Sequence, residues 1–231
     1  IRRQRQMCIR DSNITVDNTA PSGLALTVAG GDAYATAQAV SLTLSGSDNH
    51  SVTGYFLSES STIPSLDNFT SVTAADNYSA SLGFTLSSGD GAKTVYGWLR
   101  DTAGNIGGSA SDNISLDTTA PTVSVGSPSD NHSNSGQVRY TVSNTGADNV
   151  TLVADNVTVT ATGTAAAGSK SVTGSGTATR TITLDNLTGD GTLAVTLVAG
   201  TAVDNASNAA PAAGPRTAFP VDNTCLLYTS P

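Results

Sequence analysis

Thiols are almost missing from this chain of 231 residues: its two cysteines, Cys8 and Cys225, stand near the two ends. The long stretch between them can hold neither a disulfide framework nor a thiolate metal site. Glu59 is the one glutamate, and every other acid is an aspartate. Lysine and arginine number 10 against 18 acids, a net charge of −8. Such a surface repels nucleic acid and anionic membranes and attracts divalent cations. No apolar run approaches the ~20 residues that a membrane-spanning helix needs. The two histidines, His50 and His132, both lie in Ser-Asp-Asn-His-Ser strings, at different distances from the repeated junctions described below, and read as solvated loop residues. Nothing resembles Gly-x-Ser-x-Gly, so the abundant serines assemble no recognisable triad. With one Glu, paired-carboxylate chemistry would rest on Asp alone, and no motif supports it. The Gly-rich piece from Gly163 to Gly176 lacks the strand and helix that flank a phosphate cradle. These absences together lead us to expect a chain that is not an enzyme.

The two ends stand apart from the rest. Residues 2–12 read Arg-Arg-Gln-Arg-Gln-Met-Cys-Ile-Arg-Asp-Ser and residues 225–231 read Cys-Leu-Leu-Tyr-Thr-Ser-Pro. Met7–Asp11 and Cys225–Ser230 can be encoded by opposite strands of one DNA segment, and that segment resembles the transposon-end adaptor of sequencing libraries, whose arm the basic run before Met7 also fits. Residues 1–12 and 225–231 are therefore expected to be adaptor-derived and are kept out of the fold reasoning. Without them both cysteines go, and 6 basic and 17 acidic residues remain, a net charge of −11.

What is present is a repeat. Asp17-Asn18-Thr19-Ala20-Pro21 returns as Asp117-Thr118-Thr119-Ala120-Pro121 and begins again at Asp222-Asn223-Thr224, with offsets of 100 and 105 residues. A Pro-marked period of this length indicates tandem domains. We expect a first domain over residues 13–117, a second over 118–221, and the start of a third repeat at 222–224. Within each, apolar and polar residues alternate with period two. Val40–Leu44, Tyr55–Leu57, Ser81–Leu86 and Thr94–Arg100 do so in the first unit, and Val138–Val142, Thr179–Leu184 and Leu193–Leu197 in the second. Rich in β-branched residues and broken by Gly, Asn, Asp and Ser at intervals near ten residues, these segments predict antiparallel strands. No segment shows sustained helical spacing. The predicted fold class is all-β: two tandem immunoglobulin-like or fibronectin type III-like sandwiches. Trp98, Tyr96, Phe56 and Phe84 are the expected aromatic core of the first, and Tyr140 and Phe219 of the second.

The first unit carries Val95-Tyr-Gly-Trp-Leu-Arg-Asp101-Thr-Ala-Gly-Asn105 and closes into Asn113-Ile-Ser-Leu-Asp-Thr-Thr-Ala-Pro121. The second carries Gly200-Thr-Ala-Val-Asp204-Asn-Ala-Ser-Asn208 and closes into Phe219-Pro-Val-Asp-Asn-Thr224. At these residues the chain resembles the bacterial Ig-like tandem repeats of large surface proteins and adhesins. The resemblance covers nearly all of residues 13–224 and implies an extracellular, cell-associated, non-catalytic role. The second unit departs in its loop, where Asn-Ala-Ser replaces Thr-Ala-Gly, so a different turn is expected there.

Comparison of the two units yields one constellation. Asp48 and Asp148 each lie 31 residues after the junction aspartates Asp17 and Asp117. They are expected between the second and third strands, while Asp101 with Asn105, or Asp204 with Asn208, falls between the sixth and seventh. In a seven-stranded sandwich both loops share the pole where the chain enters. Three carboxylates and an amide then converge, and Ca²⁺ takes such oxygens in sets of about 6–8. The candidate ligand sets are Asp17, Asp48, Asp101 and Asn105, and Asp117, Asp148, Asp204 and Asn208. An ion there would stiffen one repeat against the next. The same residues also form Asx turns and loop caps, and no EF-hand pattern is present, so the two readings stand side by side.

Three functions are weighed. The first is a structural spacer in the stalk of a bacterial adhesin, extracellular or at the cell surface, partnered by neighbouring repeats of its own chain. The second is an adhesive module whose loops grip a host-surface, matrix or glycan ligand, for which Tyr34, Phe69 and Tyr78 are the aromatics outside the strand patterns. The third is an accessory domain of a secreted hydrolase. The ten Asn-x-Ser/Thr sequons, Asn77 and Asn186 among them, are what a Ser- and Thr-rich chain contains by chance.

Overall fold

The computed structural model describes residues 16–130 and 136–223. The adaptor-like ends, Thr224 of the third junction and His132 lie outside the described residues. The chain divides into two compact units, one comprising Gln38–Leu116 with the residues up to Ala33, the other the residues from Asp117 onward with Tyr34–Ala37.

Strands β1 (Ser22–Val28), β2 (Tyr34–Ala35), β3 (Ala39–Ser58), β4 (Thr70–Thr85), β5 (Gly91–Asp101) and β6 (Ala110–Leu116) follow one another from Ser22 to Leu116. Their sheet order is β1-β3-β5-β6-β2, with β4 also on β3. The 20-residue β3 organises the unit. Its first half pairs with β1 on one side, its second half pairs there with β5, and β4 runs along its other side. Against β4 the register slips between Ser47 and Val52, where this change occurs, and Ser51 takes a φ of 74°. An irregular stretch of this kind lets one strand serve two sheet layers. The sequence pattern breaks at Ser47–Ser51 because these residues are polar, so a loop is expected there. Ladder bonds on either side instead carry the strand through, and Asp48 and His50 lie inside β3.

The layers meet through Val95, Gly97 and Leu99 of β5. A side chain at Gly97 would come within 2.9 Å of Leu44 Cδ1, and one at Gly46 within 2.6 Å of Leu99 Cδ1, so both positions exploit the missing Cβ. Trp98 is buried, as expected of a core residue, yet it stands on the opposite face of β5. There it is covered by Phe56 across the ladder at 5.9 Å between ring centroids and by Tyr96 at 6.0 Å. Phe69 extends the cluster, and the Arg100 guanidinium lies 5.6 Å above its ring. Strand β5 is thus covered on both faces, with Val95, Trp98 and Leu99 each at most 1% exposed. Trp98→Ala is expected to cost about 3–5 kcal/mol by chemical denaturation, as a large-to-small change in a packed site. Stability within error of the parent would show the ring to be dispensable.

The second unit holds β7 (Thr122–Pro128), β8 (Val138–Thr145), β9 (Asn149–Val150), β10 (Val157–Gly163), β11 (Ala166–Thr173), β12 (Thr179–Thr188), β13 (Gly191–Leu197), β14 (Ala202–Val203) and β15 (Phe219–Val221). They form a sheet β11-β12-β8-β7, a sheet β10-β13-β15 and the short pair β14-β9. Alternation places Val138, Tyr140 and Val142 of β8 and Leu193, Val195 and Leu197 of β13 in one common core. Tyr140 and Phe219 meet inside it, their ring centroids 6.2 Å apart. Burial pushes the Tyr140 phenol up to about 12. The fold is all-β, as the alternation predicts.

Candidate functional site

One arrangement occurs in both units, atom for atom. Asn105 sits four residues after Asp101 because Gly104, at φ 93°, turns the loop back. The Asn105 N–H donates to Asp101 Oδ1 at 2.8 Å, and its side-chain amide donates to Asp101 Oδ2 at 2.7 Å. The same amide nitrogen donates to the carbonyl of Asp17 at 3.1 Å. In the second unit the Asn208 N–H donates to Asp204 Oδ1 at 2.8 Å. Its amide donates to Asp204 Oδ2 at 3.0 Å and to the Asp117 carbonyl at 2.9 Å. A loop asparagine thus ties the junction segment to the loop in each case. Asp17 and Asp117 complete the likeness with Asx turns, accepting from the N–H of Thr19 at 3.0 Å and of Thr119 at 3.2 Å.

The expected difference between the two loops is absent. Ser207 occupies the position of Gly104 and adopts φ 72°, so the turn survives without glycine. The hydrogen bonds of the asparagine outweigh a strain of about 1–2 kcal/mol for a left-handed L-residue.

The carboxylates, by contrast, are deployed differently. In the first unit Asp17, Asp48 and Asp101 each present an oxygen, and the three lie within 4.8 Å of one another. Asp101 is 2% exposed and Asp48 8%. Asp48 Oδ1 accepts from the His50 N–H at 2.8 Å, but Oδ2 of Asp48 and Oδ2 of Asp17 are buried and have no hydrogen-bond partner. Like charges at such a separation repel by on the order of 3 kcal/mol per pair at an effective dielectric near 20. In the second unit Asp148 Oδ2 accepts from the Asn205 N–H at 3.0 Å. Asp117, Asp148 and Asp204 form no such group among the described residues.

His50 was read from sequence as a solvated loop residue, and half of that holds. Its side chain is 47% exposed, yet Nδ1 lies 3.6 Å from Asp17 Oδ2. No periodicity reveals this, since the second unit has Val150 at the matching position. A second repeated feature does have a sequence signal that the junction motifs overshadow. Asp67-Asn68-Phe69-Thr70 and Asp155-Asn156-Val157-Thr158 each run from a single 3-10 turn into a strand. Of the aromatics considered for ligand binding, Phe69 and Tyr78 are buried, and Tyr34 is the one aromatic left exposed among the described residues.

No protein-family profile and no curated protein matches this chain. Among solved structures it is similar to the D00-D0 domain of intimin, with 14% identity, a TM-score of 0.37, and coverage of 86% of this chain and 99% of that one. It is also similar to the fibronectin(III)-like modules of Clostridium thermocellum CbhA, with 14% identity, a TM-score of 0.32, and coverage of 85% and 92%. No residue role is carried over from either.

Asn208→Ala would strip a donor from the half-buried Asp204 carboxylate and from the Asp117 carbonyl together. It is expected to lower stability by about 1–3 kcal/mol. Ser207→Gly in the same loop is expected to raise stability by up to about 1 kcal/mol by relieving the left-handed strain. Urea titrations of the two variants check both signs.

Proposed function

We propose that this chain is a non-catalytic spacer: two Ig-like modules of a large bacterial extracellular or cell-surface protein, with neighbouring repeats of the same chain as its partners and an adhesin stalk as its setting. The observation that carries this reading is the repeated asparagine clamp on the junction carbonyl. A module whose task is to hold the incoming segment at a fixed place needs such a device once per repeat, and a ligand-binding module does not. The covering of the aromatics supports it too, since a sugar-binding surface needs exposed rings. The gene around this segment is expected to encode further ~100-residue repeats, each with Asp-x-Thr-Ala-Pro and a loop Asp followed by Asn four residues on. Flanking repeats without the clamp, or a neighbouring catalytic domain, would favour the accessory-module reading.

We propose further that Ca²⁺ binds where Asp17, Asp48, Asp101 and Asn105 gather. Two buried oxygens without donors, beside a third carboxylate, suit a hard cation that accepts oxygen from Asp, Asn and backbone. The set Asp117, Asp148, Asp204 and Asn208 is the corresponding site of the second unit, and there Asp148 has to release the Asn205 N–H first. Melting is expected to rise with millimolar Ca²⁺ and fall with chelator. Binding to the folded form alone stabilises by about 2.7 kcal/mol at a hundredfold excess over Kd. Asp17→Ala with Asp48→Ala should remove most of the response, and Asp117→Ala with Asp148→Ala a smaller part. Melting curves indifferent to both Ca²⁺ and chelator would make these residues turn formers alone.

A further inference from the structure

We infer that His50 completes the cation site of the first unit, which therefore prefers a divalent ion that accepts nitrogen as well as oxygen, of the Mn²⁺ type, over Ca²⁺. The inference rests on the reading of the carboxylate cluster as a cation site and adds a ligand and a selectivity to it.

The two copies differ in the residue that follows the Asp-Asn pair. Asp48-Asn49-His50 and Asp148-Asn149-Val150 occupy the same places relative to Asp17 and Asp117, so only the first copy has an imidazole there. The irregular stretch of β3 sets its direction. His50 lies between the register slip at Ser47 and the positive φ of Ser51, and Asp48 Oδ1 holds its N–H. The ring then faces Asp17, with Nδ1 3.6 Å from Oδ2.

Two observations point to a ligand at this spot. Oδ2 of Asp17 and Oδ2 of Asp48 have no hydrogen-bond partner, although the Asp17 side chain is 6% exposed and Asp48 is 8% exposed. In addition, Asp17 and His50 share with Thr102 and Ala103 the wall of a cleft of about 260 Å³, through which an ion can enter.

The spacing of the ring and the carboxylate also suits an ion. Asn49 Nδ2 lies 2.6 Å from His50 Nδ1. An ion bound at Nδ1 therefore has to turn this amide aside. An imidazole nitrogen and a carboxylate oxygen 3.6 Å apart are close to the spacing of neighbouring ligands on one ion, about 3–3.5 Å for bonds of about 2.1–2.5 Å. Imidazole binds Ca²⁺ poorly and binds first-row transition ions well, while carboxylates serve both Ca²⁺ and Mn²⁺. Three carboxylates with one imidazole therefore select toward Mn²⁺, whereas the second unit, with Val150, offers oxygen alone.

The test uses the full chain, stripped with chelator and titrated by calorimetry with MnCl2 and with CaCl2. Mn²⁺ is expected to bind one site about tenfold or more tightly than Ca²⁺. Pulsed EPR of the bound Mn²⁺ is expected to show a nitrogen coupling from directly coordinated imidazole. His50→Val, which installs the side chain of the second unit, should abolish the coupling and the preference while leaving Ca²⁺ binding in place. Its ion-free melting temperature checks that it folds, and the coupling in the unsubstituted protein needs no variant. A missing coupling, a coupling that survives His50→Val, or an unchanged Mn²⁺ preference in that variant would remove His50 from the site and leave the Ca²⁺ reading standing. No binding of either ion would overturn both.

Discussion

A single amide nitrogen holds each unit to the segment that enters it. Asn105 Nδ2 and Asn208 Nδ2 each spend their two hydrogens in two directions, on the carboxylate four residues earlier and on the carbonyl of the junction aspartate. Neither bond could be made alone with the same effect. The carboxylate fixes the amide's rotamer, and the fixed amide then presents its second hydrogen to a carbonyl about 90 residues away in sequence. Because a charged acceptor strengthens the first bond, the second is anchored on a rigid donor. The clamp explains why Asp and Asn recur at this spacing, and why the turn between them can use serine where glycine is easier.

The clamp also sorts the carboxylates. In both loops the first aspartate has its two oxygens filled by the asparagine, one from the backbone and one from the side chain. What differs is the aspartate that arrives from the other side of the pole. In the second unit the chain leaves β8 through a short turn at Gly146, and Asp148 reaches the Asn205 N–H. In the first unit Asp48 is held within a continuous strand, where the N–H of His50 takes only one of its oxygens. The geometry of β3 thus leaves a carboxylate oxygen over, next to another on Asp17. The contrast between the units is a consequence of strand continuity, not of a change in the aspartates themselves.

This continuity is what the sequence conceals. Alternation reveals β5, β8, β12 and β13 because their apolar residues face a core at every second position. The clamp residues are legible as well, since repetition at a period of about 100 residues marks them without any structure. Ser47–Ser51 gives the opposite impression, for five polar residues in a row look like a loop. They remain in a strand because ladder partners exist on both flanks, a tertiary fact that no local pattern carries. The burial of Trp98 is readable from its strand, but the face it occupies is not. Val95 and Leu99 already fill the space between the layers, so the ring is covered from outside by Phe56, Tyr96 and Phe69. His50 is hidden for a third reason: comparison of repeats finds what the copies share, and His50 is what they do not.

The chain's large excess of acid then raises the question of what balances it. Among the described residues the one carboxylate–base contact within 4.0 Å is that of His50 with Asp17. The arginines and lysines turn instead to uncharged oxygens, among them the carbonyls of Leu66 for Arg100, Gly176 and Val150 for Arg180, and Val157 for Lys170, the hydroxyls of Ser87 for Lys93 and Ser127 for Arg216, and the side-chain amide of Gln137 for Arg139. The aspartates are met by N–H groups of loops and strand ends, as at Asp112, whose Oδ2 accepts from Val28, and at Asp101, Asp148 and Asp204. Backbone donors carry no net charge, so this scheme satisfies hydrogen bonding and leaves the charge in place. Wherever it runs short of donors, a buried carboxylate oxygen is left facing its own kind. Among the described residues that happens at Asp17 and Asp48. A chain rich in aspartate and poor in bases therefore gathers its unpartnered carboxylate oxygens at the one pole of the first unit where strand continuity denies them an N–H.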